Sequence, residues 1–190
     1  MIQILLATLL AALPPARDRA AATSPSPDRA SGPVLSDQEV QERVETLMGT
    51  IDTRISADEW RALGPRGAAL LEQIAQDPKA LPSRRMRAVA GVSAIGAPSS
   101  STVLLGLAKS EQAPVAVRLA AVHGAAKVVP APQLGAALKP VLEGAKDALV
   151  RGEAAEILSQ HGGCGLVRAQ AAREDDRLRM QRAVDRCSKQ

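Results

Sequence analysis

Few residues in this chain are spaced for chemistry. His161-Gly162-Gly163-Cys164 places an imidazole three residues from a thiol, and Cys187 is the one other cysteine in the 190 residues. A histidine and two cysteines are a partial zinc set, but structural zinc wants four ligands and catalytic zinc three. His123 lies a whole helix pair away. A thiol with an adjacent imidazole is also the start of a nucleophilic centre, which further needs a group to orient the base. No candidate for that group stands out. There is no glycine-rich phosphate loop, no carboxylate pair in a clear context and no convincing triad. No metal, cofactor or catalytic residue is expected, and the chain reads as non-enzymatic.

The cysteines have a simpler reading. Residues 164–174 and 176–187 read as a closing helical hairpin, with Cys164 at the start of its first helix and Cys187 at the end of its second. Antiparallel helices bring those positions together, so a Cys164–Cys187 disulfide is expected. Closing such a loop stabilises by about 3 kcal/mol in the chain-entropy model.

The elements that would carry these residues are helical. Hydrophobic residues make up 46% of the chain and aromatics 1%, with no Phe or Tyr and Trp60 alone. The apolar content is Ala, Leu and Val, which suits close helix packing better than a sheet sandwich. Ser36 with Glu39, and Ser56 with Glu59, are capping boxes opening helical stretches. Val40, Val44, Leu47 and Met48 form an apolar stripe, and Gly49 is its expected stop. Gly64-Pro65 should break the next stretch and Asp77-Pro78 end it. Further helices are predicted over 83–96, 100–109, 114–129, 133–144 and 147–161, with Pro130-Ala131-Pro132 as a breaker. Trp60 is expected to seal one end of the core.

Three of these helices share a pattern. Arg87, Arg118 and Arg151 each stand three residues before an alanine (Ala90, Ala121, Ala154), at separations of 31 and 33. Leu70, Leu104 and Leu138 recur every 34 residues. A period of this length holds two short helices and little else. The expected fold is all-α, an α-α superhelical solenoid of about four antiparallel helix pairs.

A valine or methionine, then arginine, two residues and alanine (Met86-Arg87…Ala90, Val117-Arg118…Ala121, Val150-Arg151…Ala154) resembles the second helix of HEAT repeats, over about residues 57–190. The resemblance implies a ladder of acids joined to these arginines, with Asp147 for Arg151 and Glu111 for Arg118. In the last pair Arg179 takes the arginine place and Arg182 the alanine place, as in a polar terminal cap. It also implies a protein-binding surface along the second helices, nearest to Arg84, Arg85, Arg118, His123 and Arg151. The partner class is another protein. End-to-end self-association is an alternative, and a lyase-like or chaperone-like activity follows from fold analogy alone.

The start of the chain reads as targeting. Ile2–Leu13 is a run of 12 residues, apolar but for Gln3 and Thr8, too short for a transmembrane helix, which needs about 20 residues. Residues 1–22 are expected to be a signal peptide with small residues at Ala20-Ala21-Ala22, and 23–35 a flexible Pro/Ser-rich linker before a repeat domain at 36–190. Export to the periplasm or outside the cell follows, with no transmembrane helix in the mature chain. Basic clusters at Arg84-Arg85-Met86-Arg87 and from Arg168 to Lys189 raise nucleic acid as a partner. Interleaved acids and the lack of stacking aromatics favour solvated faces instead. Net charge is −5 over Ser36–Trp60, from seven acids and two bases, and +3 over Cys164–Gln190, from seven bases and four acids. The opposite ends lead to an expectation of weak head-to-tail contact.

Overall fold

The computed structural model describes residues 35–50, 53–174 and 177–189; the expected signal peptide and all of the expected linker but Leu35 lie outside them. The described residues form ten α-helices and no strand. The first, α1 (Asp37–Gly49), opens on the predicted capping box, with the Glu39 N–H donating to Ser36 Oγ at 3.2 Å and the Ser36 N–H to the Glu39 carboxylate at 2.7 Å. The second box opens α2 (Ala57–Arg61) in the same way. These bonds, from the backbone first, hold the Glu39 and Glu59 carboxyls below the usual carboxylate range. Gly49 closes α1 as its last helical residue, and Thr50 caps it in an extended conformation.

Gly64-Pro65 does break the chain there. Gly64 takes φ +64° and opens α3 (Gly64–Gln76), with Pro65 in the first turn, where its missing N–H costs no helical bond. Then come α4 (Pro82–Ile95), α5 (Ser100–Lys109), α6 (Val115–Val128), α7 (Ala131–Gly144), α8 (Ala148–Gln160), α9 (Cys164–Ala171) and α10 (Arg177–Cys187). The proline cluster before α7 is not a complete break, since α7 begins at Ala131 and takes Pro132 into its first turn. It also carries Pro140 on its exposed side.

Consecutive helices pack in pairs: α3 with α4, α5 with α6, α7 with α8, α9 with α10. The second members also touch in sequence, α4 on α6, α6 on α8 and α8 on α10, as do the first members α3, α5, α7 and α9. One apolar cluster runs through all of them, from Val40 and Val44 of α1 to Met180, Ala183 and Cys187 of α10. Trp60 is part of it, packed close to Gly91 of α4. A side chain at Gly91 would put its Cβ 2.7 Å from Leu71 Cδ1 and 2.9 Å from Trp60 Cε3. Gly124 meets Leu104 in the same manner at 3.1 Å. Bare backbone at these two positions lets the leucine of each first helix seat against the second.

The repeat register differs by a residue or two from the sequence expectation. Leu71, not Leu70, is the buried counterpart of Leu104 and Leu138. In α4 the counterpart of Arg118 is Arg85, not Arg87. The three arginines 85, 118 and 151 then fall at equal spacings of 33, and each is followed three residues on by a fully buried alanine: Ala88, Ala121 and Ala154. In α10 the buried alanine is Ala183, and Arg182 is exposed rather than occupying a packing position.

Candidate binding surface

The five residues expected on a binding surface divide sharply by burial. Arg118 is 2% exposed. Its Nε donates to the Ala108 carbonyl at 3.3 Å, while Nη1 and Nη2 donate to the two Glu111 oxygens at 2.9 and 2.6 Å. The bidentate fork is the strong form of this pair. Glu111 also accepts the Lys146 N–H at 3.1 Å, so it joins the connection before α6 to the one before α8. That backbone bond first, and the Arg118 guanidinium after it, hold the Glu111 carboxyl below the usual carboxylate range against an opposing effect of burial.

Arg151 is held by the next two connections. Its Nη1 donates to the Ala145 and Lys146 carbonyls at 2.6 and 2.8 Å, and Nε and Nη2 reach the Glu174 carboxylate at 2.6 and 2.5 Å. Asp147, the expected partner, instead caps α8 by accepting the Leu149 N–H at 2.8 Å. Arg85, 5% exposed, donates from Nε to the Ala75 carbonyl at 2.9 Å. Arg87 reaches back from α4 to the carbonyl of Met48 at 3.2 Å, fastening the end of α1. Arg84 is partly exposed, and its Nη2 alone donates to both Glu45 oxygens of α1, at 2.9 and 2.8 Å. Ties to neighbouring elements thus occupy Arg84, Arg118 and Arg151, while Arg85 is buried with one bond from Nε.

His123 is the one of the five left widely open, with its side chain 59% exposed. It stands on α6 with Nε2 2.9 Å from Glu153 Oε1 on α8. The two residues line a cleft of about 500 Å³ together with Leu149 and Glu156 of α8 and Leu178 and Arg182 of α10. Glu156 Oε1 accepts from Arg186 Nη2 at 2.5 Å, and its Oε2 is buried with no hydrogen-bond partner among the described residues. Leu149 is 41% and Leu178 85% exposed, two of three large apolar side chains in the described chain left so open. The surface therefore mixes apolar edges with charges of both signs.

Neither Leu149 nor Leu178 is singled out by the repeat pattern. A signal for Leu178 was present. It is out of phase with Met180, Ala183 and Cys187, which mark the buried face of α10. The cysteines are joined as expected, with Cα atoms 5.4 Å apart, tying the start of α9 to the end of α10. Both thiols being consumed, neither serves as nucleophile or metal ligand in this form. Among the described residues no group of three or more His, Cys, Asp or Glu is arranged to hold a metal ion. No helix of the described residues is long and apolar enough to cross a membrane. Compared with known proteins, the chain matches no family model, no curated protein and no solved structure.

Proposed function

We propose that this chain is an exported, non-enzymatic binding module, a HEAT-like superhelical stack that holds another protein on the surface formed by α6, α8 and α10. The observation that carries the reading is the exposure of Leu149 and Leu178 around the His123–Glu153 pair. Large apolar side chains left open beside charged ones are the usual composition of a protein-binding patch. The HEAT-like reading draws support from the equal spacing of Arg85, Arg118 and Arg151 and from the successive contacts of the second helices. A disulfide agrees with an oxidising compartment outside the cytosol.

Photo-crosslinking tests the reading. A crosslinking residue at position 178 in the full chain, expressed in its own cell envelope, should capture a defined protein. One at Glu42, exposed on α1, should not. Adding His123→Ala and Leu149→Glu should abolish the capture at 178. Equal capture from both positions, or capture insensitive to the two substitutions, would remove this surface as the binding face.

A further inference from the structure

Arg85 and Arg118 are held alike but finished differently. Each donates from Nε to the carbonyl ten residues earlier, near the end of the preceding first helix: Ala75 for Arg85, Ala108 for Arg118. In Arg118 the two terminal nitrogens then take the Glu111 carboxylate. The residue 33 before Glu111 is Pro78, so the chain supplies no carboxylate at the matching place in the preceding pair. Among the described residues, Nε to Ala75 is the only hydrogen bond of Arg85, and no carboxylate lies within ion-pair distance. Although the residue is 5% exposed, its terminal nitrogens are not among the fully buried unpartnered atoms, so they stay open to solvent and to a ligand.

Arg85 borders a cleft, a space of about 410 Å³ that it lines with Gln76, Pro78, Thr102, Ser110 and Gln112. Two amides and two hydroxyls share the lining with the one guanidinium and with apolar residues such as Val103 and Leu107, and no second basic side chain lines the cleft. We propose that this is a binding site for a carboxylate, gripped by Nη1 and Nη2 of Arg85 as Glu111 is gripped by Arg118. The geometry favours a carboxylate over a phosphate. A planar, singly charged group matches one guanidinium fork, whereas a dianion calls for more positive charge than the cleft contains. The ligand is an acid side chain of a bound protein or a small carboxylic acid, which share this chemistry. The cleft shares no residue with the His123 surface and does not depend on it.

The test uses the full-length protein, isotope-labelled, following the Arg85 Nε–H resonance by NMR at fixed ionic strength. Sodium propionate, a single carboxylate, should shift it saturably, and sodium chloride should not. A short Ala-rich peptide with one central glutamate forms a second arm. Tighter binding of the peptide than of propionate assigns the site to a protein side chain, and binding of propionate alone to a small acid; either supports the carboxylate site. Pro78→Glu supplies the missing carboxylate from the chain itself, and Gln112→Glu places one in the cleft wall from an exposed position. Each should weaken propionate binding about tenfold or more, as expected when a charge-assisted pair is already satisfied or opposed. Circular dichroism reports that each variant keeps its helices. No saturable shift in the wild-type protein, phosphate binding as tight as propionate, or unchanged binding in both folded variants would overturn the proposal.

Discussion

Gly91 and Gly106 stand in the interiors of α4 and α5, and the same substitution should move stability in opposite directions at the two. A methyl at Gly91 would collide with Leu71 and Trp60, whereas nothing lies within 4 Å of one at Gly106. Gly91→Ala is expected to destabilise by about 1–3 kcal/mol through overpacking. Gly106→Ala should stabilise by about 0.5–1 kcal/mol, because alanine loses less backbone freedom in a helix. Urea unfolding followed by circular dichroism measures both. Equal effects at the two positions would contradict the packing described for α4. At this scale the sequence was legible in type and ambiguous in register. The run Arg84-Arg85-Met86-Arg87 offers arginine three residues before alanine twice, at Arg85 with Ala88 and at Arg87 with Ala90. Two residues turn a helix by about 200°, so the alternatives point to opposite faces. Only packing against α3 and α6 decides between them. The acid partners were harder still. Glu111 lies seven residues before Arg118, whereas Glu174 reaches Arg151 from 23 residues beyond it, a pairing that local spacing does not reveal.

Among the elements, α10 depends most on a single covalent tie. Its sequence is strongly charged, its buried face is narrow, and it packs on α8 and α9. The disulfide closes a loop with its cysteines 23 positions apart, for which the chain-entropy model gives about 3 kcal/mol. Reduction, or the double substitution Cys164→Ser with Cys187→Ser, should lower stability by about that amount. Hydrogen exchange should rise first in 177–187, with α4 to α6 still protected. Uniform loss of protection would show that the bridge supports the whole chain rather than its last hairpin. Helix existence was readable throughout from capping boxes, apolar periodicity and glycine or proline stops. Two ends were misplaced by more than a residue: α7 begins at Ala131 rather than 133, a proline end, and α9 stops at Ala171 rather than 174. A proline before a helix and one in its first turn look identical in sequence, and only the path of the backbone separates them.

For the molecule as a whole, charge is unevenly distributed, negative over residues 36–60 and positive over 164–190. Part of it is spent internally: Asp37 pairs with Arg66, Glu45 with Arg84, and Arg186 with Glu156. What is left supports only long-range attraction between unlike ends, which salt screens over about 8–10 Å near physiological ionic strength. Sedimentation is therefore expected to show association at low ionic strength that disperses as salt is added. Such a head-to-tail contact is heterologous and would lengthen with concentration rather than stop at a dimer. A monomer at both salt levels and high concentration would leave the chain as a single-copy binder.

Trp60 gives the molecule an uneven optical character. It is the sole aromatic residue, there being no Phe or Tyr, and it is buried beside Gly91 where α2 meets α4. All intrinsic fluorescence therefore originates at one end of the chain, while the disulfide-closed end emits nothing. An emission change on heating, on adding denaturant or on mixing with a partner reports the α2–α4 junction alone. A melting curve read by fluorescence and one read by circular dichroism will superimpose only if the two ends unfold together. The poverty of aromatics that marks the composition thus makes this protein a natural single-reporter system for asking whether its helix pairs come apart one by one.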